Sequence, residues 1–545
     1  MARLLLKNAR IVDGTNAPAF DGDVLIEDER IAEVGDAQLT PDEVVDVGGA
    51  VVAPGFIDVH SHGDFGLLSD GETRPKTLQG VTTEVVCNCG LGLFPANGAV
   101  EAYYEMLGPM IFGEEGGRCL PHLQAFRGAA HKRGISVNAA CLVPHGNVRV
   151  AAMGVEEREP SEAELGHMKE LVEEGMDQGA FGLSSGLVYP PGSYAATDEL
   201  IELARVVQPF GGMYATHMRD EGTQVVEALE EAIFIGQEAG VPVQISHHKV
   251  AGRFNWGKTK RTLARIEEAQ ANGQDVTSDV YPYTAGSTVL STIFIPQWAF
   301  EGGLPQLMVR LQDPEARERI VETGKERTLQ MAKLPGVWDR LVPKRLLLPL
   351  IMREIAKVIV LSSVPVQSHL EGMSLWEIAR QRRQPLYDAL MDLLVEENTA
   401  VAAIAFVMAE EDVQRVMTHP TTMFGTDGFD QRHGKPHPRT FGTYPRVLQH
   451  YTREEGVLGL ETAIHKMTGM VARKLGLRDR GVLEPGAHAD VVVFDPATVE
   501  DHATYAEPRR HPTGFKHLFV NGRWTVRHGR HTGARAGRVL SSRPR

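Results

Sequence analysis

His60 and His62 are separated by one residue, in the stretch Pro54-Gly55-Phe56-Ile57-Asp58-Val59-His60-Ser61-His62. In a strand, residues i and i+2 project from one face, so both imidazoles can reach one point at the strand's end. Imidazole is a common ligand for zinc and other first-row metals. Alone the pair is weak evidence, because hydrogen-bonded histidines are common. Four more donors share its setting: Cys89 in Val85-Val86-Cys87-Asn88-Cys89-Gly90, His217 in Met213-Tyr214-Ala215-Thr216-His217, His247 in Val243-Gln244-Ile245-Ser246-His247, and Asp427 in Met423-Phe424-Gly425-Thr426-Asp427. Each follows a short, mostly apolar run. Imidazoles with a thiolate and a carboxylate suit zinc better than magnesium or calcium, which take oxygen ligands. Cys87 has the same strand parity as Cys89, so alternation does not choose between them. Cys89 is preferred because it lies at the loop edge, before Gly90.

Something must bring such distant positions together. Short apolar or β-branched runs alternate with helical segments, the pattern of βα units around a parallel sheet. The runs predict strands at Phe56–His60, Thr83–Cys87, Val137–Val143, Phe181–Ser185, Met213–His217, Val243–His247, Val276–Val280 and Met423–Asp427. Spaced apolar residues predict helices such as Glu162–Gln178 and Gln224–Ala239. Eight units imply an α/β fold of the (β/α)8 barrel type, spanning 54–479, whose active-site groups gather at the C-terminal strand ends. The candidate ligands all fall there.

The chain ends read differently. Strand-and-turn patterns in 1–53 and 480–530 predict one small β-sandwich built from both termini. Residues 286–398 are too long for one crossover helix and predict an inserted subdomain beside the barrel mouth, with helices at Leu307–Thr323, Leu375–Arg382 and Leu386–Glu397. The Arg- and Ser-rich segment 531–545 reads as a flexible tail.

The chain has 545 residues, 42% hydrophobic and 23% charged, as in an ordinary globular protein. A formal charge of −15 argues against nucleic acid or an acidic membrane surface as a partner. No apolar run has the length of a membrane span, and the N-terminus does not read as a secretory signal. Four cysteines in so long a chain are no disulfide framework, which points to the cytoplasm. Oligomeric state is left open.

These segments resemble the metal-dependent amidohydrolase superfamily and, within it, the N-acyl-D-amino-acid deacylases. The His-x-His and the β-rich ends mark only the superfamily. More specific are Asn88-Cys89-Gly90 and Ser184-Ser185-Gly186-Leu187-Val188-Tyr189. Thr216-His217-Met218-Arg219, Ser246-His247-His248-Lys249 and His437-Pro438-Arg439 extend the match over nearly the whole chain. The resemblance implies zinc held tightly by Cys89, His217 and His247, with His60, His62 and Asp427 able to complete a second, weaker site; the sequence leaves one metal or two open. It implies that Cys89 replaces the carboxylated lysine with which hydantoinase-like relatives bridge two metals; strand four, Gly179–Leu187, has no lysine. It also implies that Lys249, Tyr189, Arg439 and a group among Asp279–Tyr283, with Tyr281 and Tyr283 as candidates, bind substrate or stabilise the oxyanion.

The substrate so implied is an N-acyl-D-amino acid. Its amide needs a polarised carbonyl, an activated water and a proton for the departing amine. Asp427 suits the proton shuttle. Arg439, on the loop after strand eight, suits bidentate capture of the free carboxylate. His248 points away from the ligands and reads as structural. Three competing readings are a cyclic-amide hydrolase, opposed by the missing strand-four lysine; a ring deaminase, opposed by the lack of a glutamate after His247; and a metal-free scaffold, opposed by the full ligand set.

Overall fold

The computed structural model describes residues 3–111, 119–331, 344–429, 431 and 433–542. Its centre is a closed ring of eight parallel strands. Six run side by side: Val143–Pro144, Gly182–Gly186, Met213–His217, Val243–Ile245, Val276–Val280 and Thr422–Phe424. Phe56–Asp58, Val81–Val86 and Asn138–Cys141 continue the ring, with Asn138–Cys141 and Val143–Pro144 forming the third strand on either side of Leu142. Closure comes where Ser61–His62 pairs in parallel with Gly428–Phe429, assisted by the Asp427 amide donating to the His60 carbonyl at 2.7 Å. The strands are buried along almost their whole length, as a parallel sheet covered by helices requires. This is the α/β barrel that the alternating pattern predicts.

The chain ends share one nine-stranded sheet. Val51–Pro54 pairs with Arg3–Ile11 on one side and antiparallel with Val491–Phe494 on the other, joining the N-terminal strands to the C-terminal ones. Leu6, Ile11, Val24, Ile26, Val52, Val491, Val493 and Phe519 form a separate apolar core there.

Two expectations need correction. Leu307–Thr323 is not one helix: the chain forms Leu304–Gln312 and Pro314–Met331, because Pro314 has no amide hydrogen to continue a helix but fits the first turn of a new one. Besides its helices, the insertion contributes Gly286–Val289 and Ile359–Ser363 to a three-stranded antiparallel sheet whose central strand, Ala402–Ala405, lies just past the expected boundary at 398. The tail does not fray through the described residues. The Ala139 amide donates to the Arg538 carbonyl at 3.0 Å, the Leu540 amide donates to Ala139 at 2.8 Å, and Val539 and Leu540 are buried. Residues 332–343 of the expected insertion and 543–545 of the tail lie outside the described residues. Among the described residues no helix is long and apolar enough to cross a membrane.

Candidate metal centre

Strand one delivers His60 and His62. The His60 Nε2 lies 3.4 Å from the Cys89 Sγ and 3.5 Å from an Asp427 carboxylate oxygen. The His62 Nε2 lies 3.2 Å from the same oxygen. Across the rim, the Cys89 Sγ is 3.5 Å from the His247 Nε2, and the His247 and His217 rings meet edge to face at 4.3 Å. Three overlapping sets of donor atoms each lie within 4.8 Å: His60, Cys89 and His247; His60, His62 and Asp427; His217, Glu221 and His247. The six sequence-predicted ligands are all brought to one place and all are buried.

Cys89, His247 and Asp427 have φ of +54°, +36° and +47°. Left-handed backbone is unfavourable for such residues and concentrates at functional sites. Here it turns each side chain off its strand and over the rim. Cys87, also left-handed, goes elsewhere: its thiol meets the Asp64 carboxylate at 3.9 Å and is pushed well up by burial. Of the two cysteines, Cys89 is the one brought to the donor cluster. Two glycines make room. A side chain on Gly186, at the end of strand four, would lie 2.2 Å from the Cys89 carbonyl, and one on Gly425 would lie 2.7 Å from the His60 Cβ.

Burial opposes a thiolate at Cys89, but the His60 and His247 rings outweigh it and hold the thiol well below its usual range. Burial likewise opposes ionised Asp427, yet the Arg439 guanidinium at 2.8 Å, with His247 and His60, keeps the carboxyl well below the carboxylate range. Cys89 and Asp427 are thus the two donors held in their anionic forms, among imidazoles. The buried His217 Nδ1, opposite the Nε2 that faces Glu221, has no hydrogen-bond partner among the described residues. Soft sulfur, imidazole and carboxylate in that state fit a transition metal.

Two carboxylates buttress the imidazoles. Asp279 accepts the His247 amide at 2.7 Å and the Gln244 side chain at 2.8 Å, and lies 3.2 Å from the His60 Nδ1. Glu221, which sequence reasoning missed, lies 2.9 Å from the His247 Nδ1, 3.5 Å from the His217 Nε2 and 2.5 Å from the Lys249 Nζ. Lys249 also approaches the His247 Nδ1 at 2.8 Å, but that nitrogen cannot both donate to Glu221 and accept from the ammonium. The charged partner prevails: Lys249 donates to Glu221, and a carboxylate on the far nitrogen of a ligating histidine is the common arrangement. The available signal was an acid four residues after His217.

The predicted substrate contacts divide. Arg439 stacks over the Tyr281 ring at 4.6 Å, with Lys249 at 5.8 Å, and the Tyr281 hydroxyl is buried without a hydrogen-bond partner among the described residues. The Tyr189 ring meets His217 at 5.0 Å and its hydroxyl pairs with Thr288 of the insertion at 3.0 Å. Tyr283 is not brought to the cluster; its ring packs on His437 and under Arg446. The strand ends at Val280, so alternation no longer governs the two tyrosines, and both rings meet His437. His248 points away and pairs with Thr262 at 2.9 Å.

A parallel barrel whose rim gathers thiolate, imidazole and carboxylate donors defines a metal-dependent hydrolase of the amidohydrolase type. The Amidohydrolase family model matches residues 43–106 and 368–530. D-aminoacylase of Alcaligenes xylosoxydans xylosoxydans is 40% identical, covering 99% of this chain and 97% of the relative. A solved D-aminoacylase with a binuclear metal centre, activated by one metal and attenuated by a second, superposes with a TM-score of 0.81 at 39% identity over 99% of each chain. N-acyl-D-glutamate deacylase of Bordetella bronchiseptica, solved with zinc and a phosphonate mimicking the tetrahedral intermediate, gives a TM-score of 0.80 at 32% identity over 99% of each chain. The chain belongs to the D-aminoacylase family of metal-dependent amidohydrolases.

Proposed function

We propose that this protein hydrolyses the linear amide of N-acyl-D-amino acids, releasing a carboxylic acid and the free D-amino acid. The observation that carries the reading is the meeting of the Cys89 sulfur, the four imidazoles and Asp427 beside the cations Arg439 and Lys249. Cys89, His217 and His247 would hold one zinc tightly, and His60, His62 and Asp427 a second, weaker one. When bound, zinc polarises an amide carbonyl and lowers the pKa of water from about 15.7 towards 7.

The protein's own groups supply the rest. Asp427 takes the proton from the attacking water and passes it to the departing nitrogen. Arg439 and Lys249 are both engaged by carboxylates, Asp427 and Glu221. A substrate carboxylate therefore competes for cations that are already oriented. As it draws Arg439 away, Asp427 loses the charge that holds its proton affinity down and becomes a better base. Substrate binding and proton transfer are thus linked through one guanidinium. Tyr281 offers a free hydroxyl beside both cations, suited to the developing oxyanion. Tyr189 ties this rim to the insertion.

The four cysteines are free and buried, which supports a cytoplasmic setting. The test is a panel of N-acetyl-D- and N-acetyl-L-amino acids assayed with and without chelator. The expected result is turnover of D substrates that stops on chelation and returns with zinc. Preference for L substrates, or turnover indifferent to chelator, would sink the reading.

A further inference from the structure

Beneath the rim lies a buried charged group that the proposed chemistry does not use. Lys76, on the short helix Arg74–Thr77, is 4% exposed. Its ammonium donates to the Asp58 Oδ2 at 2.5 Å, the Thr426 Oγ1 at 2.6 Å and the Ser61 Oγ at 2.9 Å, and lies 3.3 Å from the Glu84 Oε2. The network is directional throughout. Thr426 accepts from the lysine and donates to Asp58 at 2.7 Å, while its amide donates to the other Asp58 oxygen at 2.8 Å. Ser61 accepts from the lysine and donates to Glu84 at 2.5 Å.

Its members have a pattern in the chain. Ser61 lies between His60 and His62, Asp58 lies two residues before His60, and Thr426 immediately precedes Asp427. One ammonium thus ties strand one to strand eight at the backbone positions that carry three donors, His60, His62 and Asp427. It is also where the barrel closes. The opposite half of the centre has a different support: His247 and His217 lean on Glu221, which makes no contact with Lys76 among the described residues. Asp279 touches both halves, at the His247 amide and the His60 Nδ1, but the Lys76 network reaches only the first and Glu221 only the second.

We infer that the Lys76 ammonium is a positioning group that sets the His60–His62–Asp427 half of the centre, and with it the weaker metal site and the placement of Asp427, independently of the Cys89–His217–His247 half. This rests on the zinc reading above. Partners behind metal ligands typically change affinity or activity 10- to 100-fold, which fixes the size of effect to look for.

The experiment titrates metal-free protein with Zn2+ by calorimetry and measures kcat and KM on an N-acetyl-D-amino acid. Lys76→Met removes the cation but leaves two buried carboxylates. Thr426→Val keeps every charge and removes only the hydroxyl between Lys76 and Asp58, so it decides the matter if the first variant does not fold. In each variant that folds, the first zinc step should stay within threefold of the parent, the second should weaken at least 10-fold, and kcat should fall at least 10-fold with KM within threefold. Thr426→Ser, which restores the hydroxyl, should recover both. The inference is overturned if both zinc steps weaken together, if neither step nor kcat changes, if Thr426→Ser is as impaired as Thr426→Val, or if the parent shows a single zinc step. A parent that takes up no zinc overturns the metal reading and this inference with it.

Discussion

At the barrel rim, His60, His62, Cys89, His217, Glu221, His247 and Asp427 crowd together, nearly all of them buried. In the terminal sheet, Leu6, Ile11, Val24, Val52, Val491 and Phe519 fill a core of aliphatic and aromatic side chains. The sheet gains stability from apolar area removed from water. The rim does the reverse: burying ionisable groups is costly, and the cost is offset only in part by their mutual pairing. Function and stability therefore reside in different parts of the molecule. Substitutions at the rim should change chemistry and metal affinity with modest effect on folding, and substitutions in the sheet core should do the opposite.

The sharpest break of this comparison is at Asp427. Asp427→Asn keeps size and shape but cannot carry the proton. General acid–base groups typically contribute about 10²- to 10⁴-fold, so kcat should fall by that order while the tighter zinc remains bound. Metal content by elemental analysis beside kcat checks it. Near-normal turnover would remove Asp427 from the shuttle role and blur the contrast.

In the sheet, Leu6 is fully buried. Leu6→Ala leaves a cavity, and such losses cost about 2–5 kcal/mol. The melting temperature should drop markedly while kcat/KM of the enzyme that remains folded is unchanged. A fall in kcat/KM at temperatures well below melting would show that the sheet and the rim are coupled.

Glu221 gives a smaller, more selective effect. Glu221→Gln removes the charge behind His247 and frees Lys249. Zinc affinity at the tighter site should weaken by about 10- to 100-fold. Competition against a chelator of known affinity measures it. An unchanged affinity would mean that Glu221 serves only to hold Lys249.

Much of the rim was readable because its ligands end apolar runs, and a run followed by a donor marks a strand's C-terminal end. The spacing of His60 and His62 gained its weight from the donors at the other strand ends. What could not be read is what depends on backbone turns that ordinary residues rarely make. The left-handed turns at Cys87 and Cys89 send two thiols of equal parity to different places, and nothing in their residue types announces it. Glu221 sits in the polar stretch Arg219-Asp220-Glu221, where an acid reads as solvated. Lys76 and Asp58 are 18 residues apart in sequence yet 2.5 Å apart in space, a pairing no local pattern encodes. The tail misled for another reason: Val539 and Leu540 are a short apolar signal inside an Arg- and Ser-rich segment, and their docking depends on backbone bonds to strand three.

The smallest effect concerns pH, and it separates the two regions without touching the metal. His517 lies in the terminal sheet, 5% exposed, beside Trp524 and His528. Burial, reinforced by His528, Arg527 and Lys516, lowers its pKa to about 4. Its Nδ1 accepts the His528 amide at 3.3 Å, which suits the neutral ring. Above pH about 6.5, the ordinary histidine value, the ring is neutral both folded and unfolded, and it contributes no pH dependence. Between that value and about 4 the unfolded chain takes up a proton that the folded sheet refuses, so stability falls as pH falls. His517→Gln removes this one contribution. The drop in melting temperature from pH 7 to pH 5 should therefore be shallower in the variant than in the parent, measured on zinc-free protein so that the rim ligands do not enter through metal release. If the two slopes coincide, His517 is not held neutral by the sheet.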